Sequence, residues 1–233
     1  GYTPPYKRQI VFGLPNPAFS AKNWGNLNGK ELDFSNPEDR ITALNWYIDI
    51  VLEEWKKKDY KHLDLGGFYW TKESVKNDPD QDDIVLNKIK ERLSAEGYEF
   101  SWIPYYGAEG SSNWKDYGFD IAYQQPNHFF STETPDWFLP ESIRFAKENG
   151  LYMEMEFDER VRQPEFAERF YKYINEFEKA GVWENMPVAY YHGNDAWTII
   201  AESKDPKLMA MHKRLGDLLS KRQGKFSKII EKK

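Results

Sequence analysis

The 233 residues carry a net charge of −6, no cysteine, 40% hydrophobic and 30% charged side chains. That length suits one large domain or two small ones with a real core. The missing thiols exclude disulfides, zinc–thiolate sites, iron–sulfur clusters and a cysteine nucleophile. No run of about 18 apolar residues is present to form a transmembrane segment, and mild acidity argues against a nucleic-acid partner. The outlying number is 17% aromatic, with 9 Trp, 15 Tyr and 15 Phe. Such rings build large cores, and they also stack on flat, partly polar ligands such as sugars.

In chain order, one unit recurs: a short apolar run, a loop, then an amphipathic helix. The first run is Gln9-Ile10-Val11-Phe12-Gly13-Leu14-Pro15, followed by a polar loop from Asn16 to Glu38 that carries Trp24. Asn36-Pro37-Glu38-Asp39 reads as a helix start, with a helix from about Arg40 to Lys57. The second run is His62 to Trp70, with a helix from about Asp83 to Glu96. The third is Glu99 to Tyr106, with a short helix near Asn113 to Tyr117. The fourth is Phe119 to Asn127, with a helix from about Pro140 to Asn149. The fifth is Leu151 to Asp158, with a helix from about Pro164 to Ala180. The sixth is Val188 to Gly193, and Pro206 to Lys221 forms the last helix, leaving a frayed basic tail from Lys225 to Lys233.

Strand–helix alternation without hairpin signals predicts an α/β fold with a parallel sheet. Links into the strands are short, while links out of them are long and rich in Trp, Tyr, Asn and Gly. That asymmetry belongs to a TIM (β/α)8-type barrel, whose loops after the strands build the active site. No GxGxxG or GxxxxGK[ST] loop follows any strand, which disfavours a doubly wound nucleotide fold. Six units are visible where a full barrel has eight. The expectation is therefore a single barrel domain over residues 1–233, lacking its first two units.

Glu154-Met155-Glu156-Phe157-Asp158 is the most informative segment. A parallel strand covered on both faces reads as continuous apolar residues. Here every second residue is acidic, which places Glu154 and Glu156 in the lumen and Met153, Met155 and Phe157 against helices. The bland alternative is an edge strand with one wet face. Glu73, three residues after Phe68-Tyr69-Trp70, is the second candidate, and a solvated loop glutamate is its bland alternative. Tyr69, Trp70, Trp102, Tyr105, Tyr106, Gln125, Asn127, Tyr191 and His192 end strands or follow them, where rings, amides and imidazole can grip hydroxyl groups. The four histidines have no metal-ligand spacing, and no GxSxG elbow occurs. No metal and no cofactor are expected. Carboxyl groups remain as the acid–base players, the equipment of glycoside hydrolysis.

Gly67-Phe68-Tyr69-Trp70-x-x-Glu73, Trp102-Ile103-Pro104-Tyr105-Tyr106, Gly118-Phe119-Asp120, Gln125-Pro126-Asn127 and Glu154-Met155-Glu156-Phe157 resemble the bacterial domain of unknown function numbered 4855. The resemblance spans about Phe12 to Gly193. It implies a TIM-barrel glycosidase-like superfamily and carbohydrate chemistry, but no particular substrate. It also implies a secreted, periplasmic or cell-surface location. If the six strands are the third to eighth of a barrel, Glu73 follows the fourth and Glu156 ends the seventh. By analogy with the large retaining glycosidase clan those are the acid/base and nucleophile positions. The expected function is a glycoside hydrolase acting on a poly- or oligosaccharide. The alternative is a non-catalytic carbohydrate-binding barrel or interaction scaffold.

Overall fold

A computed structural model describes the backbone of residues 6–230 and the side chains of residues 6–222. The chain is mixed α/β, with a parallel sheet of six strands. It divides into two compact units, Gly1–Ala122 and Tyr123–Lys233.

The first unit opens with β1 (Arg8–Leu14) and the short strands β2 (Gly25–Leu27) and β3 (Lys30–Leu32). These two form an antiparallel hairpin, a departure from the purely parallel alternation expected. Its turn is Asn28-Gly29, with φ of 55° and 89°. Positive φ at both turn residues is what a two-residue hairpin needs, and Asn-Gly is the pair that tolerates it.

Helix α1 (Pro37–Lys58) begins where the Asn-Pro-Glu-Asp signal lies. The Asn36 side chain accepts the Glu38 N–H, Pro37 occupies the first turn, and three lysines close the last one. Acidic first turns and basic last turns complement the helix dipole. Strand β4 (Leu63–Trp70) pairs with β1 in parallel, α2 spans Asp82–Ala95, and β5 (Glu99–Trp102) pairs with β4. The β1–β4 register slips at one place: Ile10 faces Leu65 but Val11 faces Gly67. Gly66 is thus a bulge residue, and Gly67 beside it lies so close to β5 that a Cβ would meet the Glu99 carbonyl at 2.1 Å.

Phe68 faces Phe100 and Trp70 faces Trp102 across the β4–β5 ladder, and all four are fully buried. Neighbours in a parallel register share a face. The stripe Val85, Leu86, Ile89 and Leu93 of α2 is buried too, at helical spacing. Between α1 and the start of α2, Arg40 and Asp82 form a buried ion pair at 2.5 Å, and Lys72 joins Asp82 at 2.7 Å and Asp80 at 2.9 Å. The short helix expected near Asn113 to Tyr117 is a 3-10 helix over Ser111–Tyr117. Strand β6 (Ile121–Gln124) gives Ile121 and Ala122 to the ladder with β5.

In the second unit, Tyr123 and Gln124 of β6 pair with β7 (Tyr152–Phe157). Helix α3 (Phe138–Asn149) lies between them in sequence and ends at Gly150, whose φ is 69°. A 3-10 turn over Glu159–Arg162 leads to α4 (Pro164–Lys179). Its buried residues Phe166, Arg169, Phe170, Tyr173, Ile174 and Phe177 recur at 3, 4, 7, 8 and 11, one face of a helix. A short helix, α5 (Val182–Asn185), precedes β8 (Val188–His192), which pairs with β7 along five residues. Helices α6 (Ala196–Ala201) and α7 (Pro206–Ile230) complete the unit. The helix expected to end at Lys221 runs on to Ile230, so residues 225–230 are helical where fraying was expected. Residues 231–233 lie outside the described residues.

Candidate functional site

The Gln124 amide donates to the carbonyl and hydroxyl of Ser142 on α3, both at 2.7 Å, so Gln124 faces the helix. Met153 is its register partner. By alternation Met153, Met155 and Phe157 share that face, and the Phe157 ring meets Phe170 of α4 at 5.3 Å. Glu154 and Glu156 belong to the opposite face. Glu154 is 6% exposed and Glu156 is fully buried.

Pairing between β6 and β7 stops at Met153. Beside the C-terminal half of β7 the neighbour is instead the segment that follows β6. Its Asn127, with φ of 54°, turns its N–H onto Glu156 Oε2 at 2.8 Å. The Tyr173 hydroxyl donates to the same oxygen at 2.5 Å and accepts the His128 N–H at 3.2 Å. Burial, then the Glu156 charge beside it, raises the Tyr173 pKa well above that of an ordinary tyrosine. The phenol therefore keeps its proton and stays a donor.

A second layer holds this loop. Arg169 on α4 is buried and donates to the carbonyls of His128, Thr132 and Thr134, the last two at 2.7 and 2.8 Å. It also lies 3.1 Å from His128 Nε2. Burial first, then the Arg169 and Lys172 charges, lower the His128 pKa to about 4, so the ring is neutral near pH 7. Asp158, at the end of β7, receives Arg160 on both oxygens at 2.6 and 3.0 Å.

Of the residues singled out in the sequence, Glu156 and Asn127 are brought into direct contact. Gln125 is half-buried and follows β6. Tyr191 is 49% exposed with its ring 5.8 Å from Phe130, and exposed His192 lies 6.3 Å from the Phe157 ring. In the first unit, Glu73 is exposed in the bend after β4. Tyr69 and Tyr106 are half-buried, and Tyr105 is exposed. Trp70 and Trp102 are interior rings: both have no exposed surface, and Trp102 stacks on Phe119 at 5.0 Å while its indole N–H donates to the Lys72 carbonyl.

Tyr173 and Arg169 went unnoticed in the sequence. The available signal was a phenol and a guanidinium on a stripe otherwise made of Phe and Ile, since a buried Tyr or Arg has to find a partner. Among the described residues no group of three or more His, Cys, Asp or Glu side chains could hold a metal ion. No helix among them is long and apolar enough to cross a membrane.

A six-stranded parallel sheet with a buried glutamate near the C-terminal end of one strand defines a mixed α/β protein. The family model of a domain of unknown function, DUF4855, matches residues 1–217, and the chain belongs to that family. No curated protein and no solved structure matches it.

Proposed function

We propose that this chain is a TIM-barrel-type glycoside hydrolase that cleaves a poly- or oligosaccharide with retention, outside the cytoplasm. The observation that carries the reading is the Glu156 carboxylate, fully buried at the C-terminal end of β7 with one oxygen fixed by Tyr173 and the Asn127 N–H. A nucleophile held in place by preset donors spends nothing on reorganisation when the bond forms. In this reading Glu156 attacks the anomeric carbon while Glu73 protonates the departing glycosidic oxygen. The glycosyl ester then yields to water, with Glu73 taking its proton. Glu154 binds a sugar hydroxyl or tunes the charge of Glu156. Tyr69, Tyr105, Tyr106, Gln125, Asn127, Tyr191 and His192 hold the sugar through ring faces and hydrogen bonds.

The test is Glu156→Gln, assayed on a panel of polysaccharides that the parent degrades. Loss of turnover with glycan binding retained supports the assignment, and retained turnover sinks it. The full burial of Glu156 favours one second reading, a non-catalytic saccharide-binding protein in which this carboxylate secures the loop after β6. Calorimetric binding with no product release by the parent on any glycan would select that reading.

A further inference from the structure

The first unit contains a cleft that involves none of these carboxylates. It is formed by the turn after β1, the residues that flank the β2–β3 hairpin and the first half of α1, and its volume is about 210 Å³. Pockets that take drug-sized molecules start near 300 Å³, so this one suits a single small ring.

Two tryptophans shape it. Trp24 and Trp46 are 41% and 39% exposed, with ring centres 5.8 Å apart and planes at 72°. Phe34, itself buried, stacks on Trp24 at 5.4 Å, so that indole is held in place while part of it stays exposed. The corner is preset by backbone bonds: Trp24 N–H to the Leu32 carbonyl and Phe34 N–H to the Ala21 carbonyl, each 3.1 Å. The cleft's lining carries no charged side chain. Its one amide, Asn16, has an Oδ1 that is buried and accepts no hydrogen bond.

These features specify the ligand. Partly exposed indoles bind rings of C–H groups. An uncharged lining does not compensate a phosphate or carboxylate. The buried Asn16 oxygen needs an O–H or N–H donor. A neutral pyranose meets all three conditions, with C–H groups on its face and hydroxyls at its rim. A proline-rich peptide meets only the first two, because proline carries no N–H and brings further acceptors. We propose that the Trp24–Trp46 cleft is a binding site for one neutral pyranose ring of a saccharide chain. The proposal goes beyond the hydrolase reading, since it needs no catalysis and no part of Glu156.

The experiment is calorimetric titration of the parent and of Glu156→Gln with cellohexaose, mannohexaose, xylohexaose, chitohexaose and a proline decapeptide. At least one hexasaccharide should bind, and both Trp46→Ala and Asn16→Ala should weaken it about tenfold or more with an unchanged Tm. Trp46 is an exposed residue of α1, and Asn16 leaves no bond behind, so both variants should fold. Binding equal to the parent in both variants overturns the proposal. So does the absence of hexasaccharide binding, or decapeptide binding that depends on Trp46. If Glu156→Gln still turns substrate over while Trp46→Ala loses binding, the catalytic assignment falls and the cleft stands.

Discussion

The Tyr173 hydroxyl, on the third turn of α4, donates to Glu156 at the end of β7 and at the same time accepts the backbone N–H of His128. One phenol thereby joins a strand, a helix and the loop after β6, and it does so with no exposed surface.

Tyr173→Phe removes this junction and little volume. Glu156 loses a donor in a place water does not reach, which costs about 1–3 kcal/mol. Urea denaturation should show a lower midpoint at the same slope. Turnover should fall with saccharide affinity changed less, because the substitution loosens the carboxylate and not the rings that hold sugar.

Arg169→Leu should be costly despite being far from the strand ends in sequence. It strands three carbonyls that now share one guanidinium. A loss on the order of 3 kcal/mol is expected from thermal or chemical unfolding. Arg169→Lys should recover little, since an ammonium lacks the planar fork.

Stability should also fall with acid in a window set by His128. Its folded pKa of about 4 is below its ordinary 6.5, so the unfolded chain binds the proton more readily. The histidine's contribution is therefore complete above about pH 6.5 and is lost as pH falls through 4. The gap amounts to roughly 3 kcal/mol. Replacing His128 with Gln should flatten that part of the stability profile while leaving the carboxylates' acid limb. Equal slopes in the two proteins would show that His128 does not contribute to it.

The glycines of β4 give a sharper contrast. A Cβ on Gly67 would meet the Glu99 carbonyl oxygen at 2.1 Å, and backbone cannot step aside. Gly67→Ala should part β4 from β5 and cost roughly 3 kcal/mol or more. At Gly66 the nearest atom is the Gln9 side chain at 3.0 Å, exposed and flexible. Gly66→Ala should cost less than about 1 kcal/mol. Comparable Tm values for the two variants would refute the close approach of Gly67 to the Glu99 backbone.

The six parallel strands and the helices that follow most of them were legible because most runs of apolar residues have Gly, Pro or Asn at an edge. Period-2 acids in β7 pointed to Glu154 and Glu156 for the same reason. The Asn28-Gly29 hairpin was also written in the sequence, but strands of three residues carry too little alternation to be read as strands. Trp70 and Trp102 illustrate a different limit: a tryptophan at a strand end looks the same whether its face is sheet interior or cleft, and only the register with Phe68 and Phe100 assigns it. Tyr173 was legible only as part of a helix, and its partner lies 17 residues upstream on a strand, a distance no helical period encodes.

The Arg169 tethers leave an opening for protein engineering. All three end on backbone carbonyls, which every amino acid supplies, and the side chains of Thr132 and Glu133 between them point into solvent. Those two positions can be randomised as a small library with the guanidinium's acceptors intact, so the loop can be diversified in composition while its length stays fixed.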